Sequence, residues 1–277
     1  GNYLPENTNL ENIKEDIRNL SVEHLKDIDT VIHLANIAND PSVKLNELLS
    51  WEVNVLATQQ LADLSLRSGV KHFIYASSGS VYGIKDEKNV TEDLELIPIS
   101  AYNKTKMVSE RILISYKNEM KVHCIRPATV CGYSPRMRLD LTVNMLTFQA
   151  LKNKEIKVFG GDQIRPNIHI KDMVAAYMFF LNHDELPSGF YNAGFENLSV
   201  LKIAEKINKK INSDIKITSS NDKRSYRLDS SKLIAKGFEP KYSINDAIEE
   251  NIKMYKNKTL IEKKSFYNVG WMEELNI

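Results

Sequence analysis

The chain has 277 residues, of which 42% are apolar and 26% are charged, and its formal net charge is only +1. This composition is ordinary for a globular protein, and it lacks the basic excess that indicates a nucleic-acid or anionic-membrane partner. No apolar run reaches the ~18 residues that a membrane span needs, and no signal-peptide pattern opens the printed sequence. The two cysteines, Cys124 and Cys131, fall in or just beyond a predicted buried strand. We therefore expect no disulfide framework and predict a cytoplasmic protein without a membrane partner.

Strand-like and helix-like segments alternate along the chain, which predicts a parallel sheet with helices on both faces. Strands are predicted at residues 13–17, 30–34, 73–76 and 122–125. Helices are predicted at 43–67, after Ser100, and at 141–151, 171–181, 200–211 and 244–255. The Lys-rich stretch after Lys256 is predicted to be a solvated, loose end.

One predicted helix carries Tyr102 and Lys106, which share a face because they lie one helical turn apart. A lysine beside a phenol stabilises the phenolate and so lowers the pKa of the phenol. Ser77 and Ser78 follow the strand at 73–76, at the kind of strand end where open α/β sheets hold reactive groups. Such groups suit hydride transfer between a hydroxyl-bearing carbon and a nicotinamide. An isolated Tyr-x-x-x-Lys pattern indicates a solvated helix face more often than a catalytic pair.

Three segments occur in a specific order: Thr-Val-Ile-His-Leu-Ala at 30–35, Phe-Ile-Tyr-Ala-Ser-Ser-Gly-Ser-Val-Tyr-Gly at 73–83, and Tyr-Asn-Lys-Thr-Lys at 102–106. Together they resemble the extended short-chain dehydrogenase/reductase family, specifically its NAD-dependent nucleotide-sugar epimerases and dehydratases. The resemblance runs from about residue 16 to about residue 248. It implies an α/β fold: a Rossmann-like doubly wound parallel sheet followed by a smaller α/β substrate-binding domain. The dinucleotide-binding part would cover 1–134, with 163–182 returning to it, and the mainly substrate-binding part would cover 135–277.

The same resemblance implies roles for the residues of the cofactor side. Tyr102 would be the general base or acid, Lys106 would lower its pKa and hold a ribose hydroxyl, and Ser78 would supply the catalytic hydroxyl, with Ser77 as the alternative. The implied cofactor is NAD, with NADP as an alternative, and its remaining contacts would be Asp16, Ile17, Leu34, Ala35, Asn54 and Ser77. Asp16 would read the adenine amino group or be a plain turn residue. Asn54 would brace the active-site strands or simply face solvent.

On the substrate side, the resemblance implies that a nucleotide sugar contacts Ser80, Thr129, Arg165 and Arg224. The two arginines would grip the diphosphate, a task that suits a permanently charged guanidinium fork, and surface salt bridges are their alternative role. Residues 136–140 would line the nucleotide pocket, and Arg126 would have a structural role. His169 would pack within the fold, and no Cys or His spacing indicates a metal site.

A glycine-rich phosphate loop is missing from the printed sequence. A nicotinamide-binding sheet normally opens with a strand, a Gly-rich turn and a helix whose N-terminus holds the pyrophosphate. Here no glycine stands between Gly1 and Gly69. Compared with the family, roughly 40–50 residues that form two strands and their helices would precede Gly1. We therefore expect a fragment of a longer protein in which the strand at 30–34 has an open edge. A shortened and catalytically silent protein is the alternative.

Residues 77–83, here called the serine loop, help to distinguish between the reactions that members of the family catalyse. Dehydratases and decarboxylases of this family need an acid at one of the two positions before Val-Tyr-Gly, and reducing epimerases use a cysteine in this loop. Gly79 and Ser80 occupy the two positions, and the loop contains no cysteine. The resemblance therefore favours a 4-epimerase acting through a 4-keto sugar, with a 4-keto reductase or a silent sugar-nucleotide-binding protein as alternatives. It also implies a homodimer, in which the helices near Val55 and Lys106 form a four-helix bundle.

Overall fold

The fold is given by a computed structural model that describes residue 7, residues 9–220 and residues 225–275. Its strands, in chain order, are β1 (Thr30–His33), β2 (His72–Ala76), β3 (Lys121–Pro127), β4 (Thr129–Cys131), β5 (Glu155–Phe159), β6 (Ile164–His169), β7 (Gly189–Ala193), β8 (Glu196–Ser199) and β9 (Asp214–Thr218). Its α-helices are α1 (Asp40–Leu45), α2 (Glu47–Trp51), α3 (Ala57–Arg67), α4 (Ala101–Ser115), α5 (Thr142–Asn153), α6 (Ile170–Leu181), α7 (Val200–Ile211), α8 (Ser231–Ala235), α9 (Ile244–Lys256) and α10 (Asn268–Glu274).

The main sheet is parallel and has the order β1-β2-β3-β7. Strands β2 and β3 are almost completely buried, as expected for parallel strands that are covered by helices on both faces. Strand β1 lies at the edge of this sheet within the described residues, which agrees with the open edge predicted for residues 30–34. Because the strands run in one direction, the loops that follow β1 and β2 meet at the same edge of the sheet.

The second half of the chain builds two smaller sheets and also contributes to the main one. Strands β4, β6 and β8 form a three-stranded sheet, and β5 pairs with β9. Helix α6 and strand β7 pack into the core of the main sheet, although β7 lies within the range assigned to substrate binding. None of the helices in the described part of the chain has the length and apolar character needed to cross a bilayer.

The prediction of a strand at residues 13–17 is wrong. Within the described residues this segment is irregular, and a 3₁₀ turn at Ile17–Asn19 follows it. The Asp16 carboxylate caps this turn by accepting a hydrogen bond from the Arg18 backbone N–H at 2.9 Å. A strand needs a neighbouring strand for its backbone hydrogen bonds, and none lies beside this segment in the described residues.

The helix predicted at 43–67 forms, but it is interrupted. The chain passes from α1 to α2 at Asn46, whose extended backbone ends one helix and whose side chain caps the next by accepting from Leu49 N–H at 3.0 Å. A π-helical turn at Glu52–Leu56 then leads into α3. This turn carries Asn54, which is fully buried.

The loose end predicted after Lys256 is also wrong. A 3₁₀ turn at Lys264–Phe266 and helix α10 follow it, and Leu260, Phe266 and Met272 are buried. Met272 packs with Ile37 and Val43 in a cluster that Ala101 and Tyr102 also contact. The lysine-rich composition of the stretch obscured these widely spaced apolar side chains.

Two buried histidines make the stability of this fold sensitive to acid. Burial lowers the pKa of His33 to about 3 and that of His123 to about 4. His33 hydrogen-bonds Thr58 Oγ1 at 2.8 Å, and His123 Nδ1 lies 2.8 Å from His72 Nε2. In the unfolded chain these imidazoles have a pKa of about 6.5.

We therefore expect the free energy of unfolding to fall by at least about 2 kcal/mol between about pH 6.5 and about pH 4.5. In this range the unfolded state binds protons that the folded state excludes, so stability is lost as the pH falls. Urea unfolding followed by circular dichroism at several pH values measures the slope. The His123→Gln variant should show a smaller slope, and an unchanged slope would contradict this account of His123.

Candidate active site

Helix α4, which the sequence predicts to be the catalytic helix, begins after Ser100, as expected. Ser100 caps it, because its Oγ accepts a hydrogen bond from Asn103 N–H at 3.2 Å and also donates one to the Asp40 carboxylate in α1. This places Tyr102 in the first turn of the helix and Lys106 one turn later. The two side chains therefore point toward the loop that follows β2.

Lys106 is almost completely buried, with 3% of its surface exposed. Its Nζ donates a hydrogen bond to the Ala76 carbonyl oxygen at 2.5 Å, and it lies 4.7 Å from the centroid of the Tyr75 ring and 6.0 Å from that of the Tyr102 ring. Burial lowers the pKa of Lys106 to about 7, whereas the Glu110 carboxylate one turn further along α4 raises it. Lys106 thus joins the catalytic helix to the end of β2, and its charge is sensitive to pH near neutrality.

The pKa of Tyr102 differs from the value that the sequence leads us to expect. Burial raises its pKa to about 12, a hydrogen bond with the Ser78 side chain lowers it, Asp40 raises it and Arg138 lowers it. Lys106 is not among these causes, because its ammonium group donates to the Ala76 carbonyl rather than to the phenol oxygen. The expected lowering of the Tyr102 pKa by Lys106 is therefore not found in this arrangement.

The structure distinguishes the two serines after β2. Ser78 hydrogen-bonds Tyr102, and its Oγ lies 2.7 Å from Ser80 Oγ. Ser77 continues the sheet, since its backbone N–H donates to Ile125 O at 2.8 Å, and its buried hydroxyl has no partner in the described part of the chain. Only Ser78 thus contacts the phenol directly.

Asn54 faces the interior, so the alternative of a solvent-facing asparagine is wrong. Its side chain accepts a hydrogen bond from Ile37 N–H at 2.8 Å and donates to Ile37 O at 3.1 Å and to Thr105 Oγ1 at 3.2 Å. Asn54 therefore joins the loop after β1 to the catalytic helix. A cofactor contact for Asn54 stays a prediction.

A cleft of about 620 Å³ opens along β1, and four of the residues predicted to contact the cofactor line it: Asp16, Ile17, Leu34 and Ala35. Hydrogen bonds from Arg18 lower the pKa of Asp16 to about 2, so this carboxylate is ionised at neutral pH. The next residue after Ala35 is Asn36, whose side-chain amide oxygen and nitrogen are both buried without a partner among the described residues. Sequence reasoning missed Asn36, because no spacing pattern distinguishes it.

These features fit part of a dinucleotide. Buried polar atoms normally have hydrogen-bond partners, so the amide of Asn36 and the hydroxyl of Ser77 suit a polar ligand. An ionised carboxylate at one end of the cleft and a buried lysine at the strand ends suit an amino group and a ribose. The described residues contribute no glycine-rich loop for the pyrophosphate.

Two of the predicted substrate residues, Thr129 and Arg165, lie on the three-stranded sheet, where they are half-buried, whereas Ser80 lies in a 3₁₀ turn after β2. Thr129 of β4 is paired in register with Asn167 of β6, and Arg165 precedes Asn167 by two residues on that strand. Arg224 lies outside the described residues. Arg138, within the segment predicted to line the nucleotide pocket, is close enough to lower the pKa of Tyr102. Its guanidinium group is held by the Asp140 carboxylate at 2.7 and 3.1 Å.

Comparison with known proteins shows one consistent relationship. The sequence profile described as the NAD dependent epimerase/dehydratase family matches residues 5–194. The "Uncharacterized UDP-glucose epimerase YtcB" of Bacillus subtilis is 31% identical over 74% of this chain and 66% of its own length. The UDP-glucose 4-epimerase of Lactobacillus helveticus is 26% identical over 65% of this chain and 62% of its own. The chain therefore spans less than two thirds of the length of these two curated relatives.

Solved structures show the same relationship at the level of the fold. MoeE5 in complex with UDP-glucuronic acid and NAD superimposes with a TM-score of 0.83 and 28% identity, over 92% of this chain and 88% of that one. The UDP-glucuronic acid 4-epimerase from Bacillus cereus, in complex with UDP-glucuronic acid and NAD, gives a TM-score of 0.78 and 30% identity, over 89% and 81%. The Rossmann-type fold that the sequence predicts is thus confirmed.

The hydrogen bond between Ser78 and Tyr102 leads to a test that needs no turnover. Replacing Ser78 with alanine should raise the pKa of Tyr102 by about one unit, because a donor to the phenolate is lost. Incorporation of 3-fluorotyrosine lowers phenol pKa values into an accessible range and provides a ¹⁹F signal, and the Tyr102→Phe variant assigns that signal. Ser77→Ala removes the neighbouring hydroxyl and should leave the titration of Tyr102 in place. Equal shifts in the two variants would contradict the assignment of Ser78.

Proposed function

Because the chain belongs to the NAD dependent epimerase/dehydratase family, we propose that it interconverts two nucleotide-activated sugars that differ at C4, through a 4-keto sugar. The observation that carries this proposal is the contact between the Tyr102 phenol and the Ser78 hydroxyl, with the buried Lys106 beside it. These groups form a proton-transfer site, and residues 77–83, which include Ser78, contain no carboxylate.

In this proposal Tyr102 is the general base for the sugar 4-hydroxyl in the first half-reaction and the general acid in the second. NAD, held by the cleft that Asp16, Leu34 and Ala35 line, would supply the hydride-acceptor chemistry at C4. Ser78 hydrogen-bonds the phenol and the reacting sugar oxygen. Lys106, whose Nζ is held by the Ala76 carbonyl, places a positive charge beside the ring of Tyr102 whenever it is protonated.

The side chains around Tyr102 favour epimerisation over elimination. Loss of a hydroxyl as water needs a general acid close to the leaving group. Gly79 offers no side chain, and the Ser80 hydroxyl is already hydrogen-bonded in the serine loop. The nearby Asp40 carboxylate accepts a hydrogen bond from Ser100 at the N-terminus of α4.

The names of the relatives support uridine diphosphate as the activating group of the substrate. The similar proteins include UDP-glucose epimerases and structures that hold UDP-glucuronic acid. In this chain the proposed contacts are Ser80, Thr129 and Arg165, together with Arg224. A homodimer through the helices near Val55 and Lys106, and a cytoplasmic location, remain predictions of the sequence.

The first test uses the native-length protein with NAD and UDP-glucose that carries deuterium at C4. An epimerase removes and returns the same hydride, so the product should be UDP-galactose that keeps deuterium at C4, with no net change in NADH. Tyr102→Phe should lower the rate by roughly 10²–10⁴-fold, because proton transfer is lost. Tyr116→Phe changes a tyrosine at the other end of the same helix and is the matched control. NMR of the product measures both the configuration and the label.

Other results of this experiment identify the alternatives. Stoichiometric consumption of NADH or NADPH with a 4-keto sugar would indicate a reductase. Binding of UDP-sugars without turnover in the presence of NAD would indicate a silent binding protein. Full activity of the Tyr102→Phe variant would overturn the mechanism.

Substitutions at Arg165 test its proposed contact with the diphosphate of the substrate. Arg165→Leu should raise KM for the UDP-sugar by about 10–100-fold with little change in kcat, because a charge-assisted contact to the diphosphate binds ground state and transition state alike. Arg165→Lys keeps the charge but loses the planar fork, so we expect an intermediate KM. An unchanged KM in both variants would remove Arg165 from the binding site.

A further inference from the structure

Asn103 is fully buried next to Tyr102, and the proposed reaction does not yet use it. Its side-chain Oδ1 accepts a hydrogen bond from the Ser80 hydroxyl at 2.6 Å. Its Nδ2 is buried and has no partner in the described part of the chain. Among the described residues, the orientation of the Asn103 amide therefore depends on its hydrogen bond with Ser80 alone. Because an amide oxygen only accepts and an amide NH₂ only donates, the two orientations have different consequences.

With the oxygen toward Ser80, the hydroxyl protons of the serine loop point away from the phenol. Ser80 donates to Asn103, so it can only accept from Ser78 across the 2.7 Å contact between their hydroxyls. Ser78 has then used its single proton, and it also accepts from the Ser80 backbone N–H at 3.2 Å. Toward Tyr102 it can only accept, which favours the protonated phenol, so the lowering of the Tyr102 pKa by Ser78 belongs to the reversed orientation, in which Ser78 donates.

With the amide turned by 180°, every hydrogen bond in this chain reverses. Asn103 Nδ2 donates to Ser80 Oγ, Ser80 donates to Ser78 Oγ, and the Ser78 proton is free to be donated to the oxygen of Tyr102. Each hydroxyl still has one donor bond, and the number of hydrogen bonds is unchanged. This orientation favours the phenolate.

We propose that Asn103 is a positioning residue whose amide orientation sets the direction of the Ser78–Ser80 hydroxyl chain and so matches it to the protonation state of Tyr102. The proposal rests on the proposed function, in which Tyr102 gives up its proton and regains it in each turnover. No proton travels along the chain, because the two hydroxyls and the amide only rotate.

Among the described residues, the side chain of Asn103 makes no hydrogen bond to the other charged and titratable groups that face Tyr102. They come from every element packed around the phenol: Asp40 of α1, Tyr75 of β2, Lys106 of α4, Arg138 of the loop before α5, and Tyr177 of α6. Their contribution to the pKa of Tyr102 should stay constant when Asn103 is substituted, so a change in this pKa should arise through the hydroxyl chain.

Two substitutions of similar size test the proposal because only one of them should raise the pKa of Tyr102. Asn103→Asp is an acceptor in both orientations when ionised, so it locks the first arrangement and should raise the pKa of Tyr102 by about one unit. Asn103→Leu removes the acceptor, so Ser80 becomes free to donate to Ser78, and the pKa of Tyr102 should stay the same or fall. Titration of the 3-fluorotyrosine-labelled protein by ¹⁹F NMR measures both. A purely structural role would move both variants in the same direction.

The added charge of Asn103→Asp needs its own control. The same substitution in a Ser80→Ala background keeps the charge but removes the hydroxyl chain, so most of the shift should disappear. A shift of equal size in the two backgrounds would overturn the proposal. If Asn103→Asp does not fold, as judged by circular dichroism, a rise in the pKa of Tyr102 in Asn103→Leu overturns it, and an unchanged or lower value supports it.

Kinetics separate this proposal from the proposed function. If the wild-type protein epimerises UDP-glucose, Asn103→Asp should lower kcat near neutral pH by about tenfold, leave KM unchanged and move the acid limb of the pH–rate profile to higher pH. An unmoved profile would contradict the proposal. If the wild-type protein shows no turnover, the proposed function fails, whereas the NMR titration still decides whether Asn103 directs the hydroxyl chain.

Discussion

A buried ion pair between Arg126 on β3 and Glu110 on α4 holds the catalytic helix against the main sheet. Two hydrogen bonds of 2.9 and 2.8 Å join the guanidinium group to the carboxylate, and a third, of 2.8 Å, joins it to the Tyr82 hydroxyl. Burying two charges is costly unless they are paired and fully hydrogen-bonded. A shift of α4 relative to β3 would break this pairing, so the ion pair fixes the position of the helix on the sheet. Lys106 lies one turn before Glu110, and its Nζ therefore reaches the carbonyl at the end of β2.

The same burial controls the chemistry of the site. Removal from water disfavours charged forms, so it lowers the pKa of Lys106 and raises that of Tyr102. Both groups thus favour their neutral forms, and hydrogen bonds to the phenol become the local means of stabilising its ionised form. Ser78 supplies such a bond, and its proton direction depends on what lies behind it. In our proposal the amide of Asn103, which the hydroxyls of Ser80 and Ser78 separate from the phenol, influences the protonation of Tyr102 through these two hydroxyls.

Parts of the fold could be predicted from the sequence because they depend on local signals. Helix α7 was predicted with the same bounds, since Ser199 caps it and apolar residues recur along one face. Three strands of the main sheet, β1, β2 and β3, were predicted from short β-branched and aromatic runs that end at polar loops, whereas β7 was not predicted. The strand at 13–17 was wrong because a strand depends on a partner elsewhere in the chain. The prediction of a loose C-terminal end was wrong because the three buried side chains of this segment are far apart in the sequence.

By itself, the sequence determined the family, the parallel sheet and the positions of Tyr102, Lys106 and the two serines, because these depend on residue type and on spacing along one helix or loop. Only the tertiary structure decided which serine contacts the phenol, because neighbouring residues at a strand end point in different directions. It also decided that Asn54 is internal and that Asn103 ends the hydroxyl chain. Those contacts join segments distant in sequence, and hydrogen-bond partners and burial are properties of the folded chain.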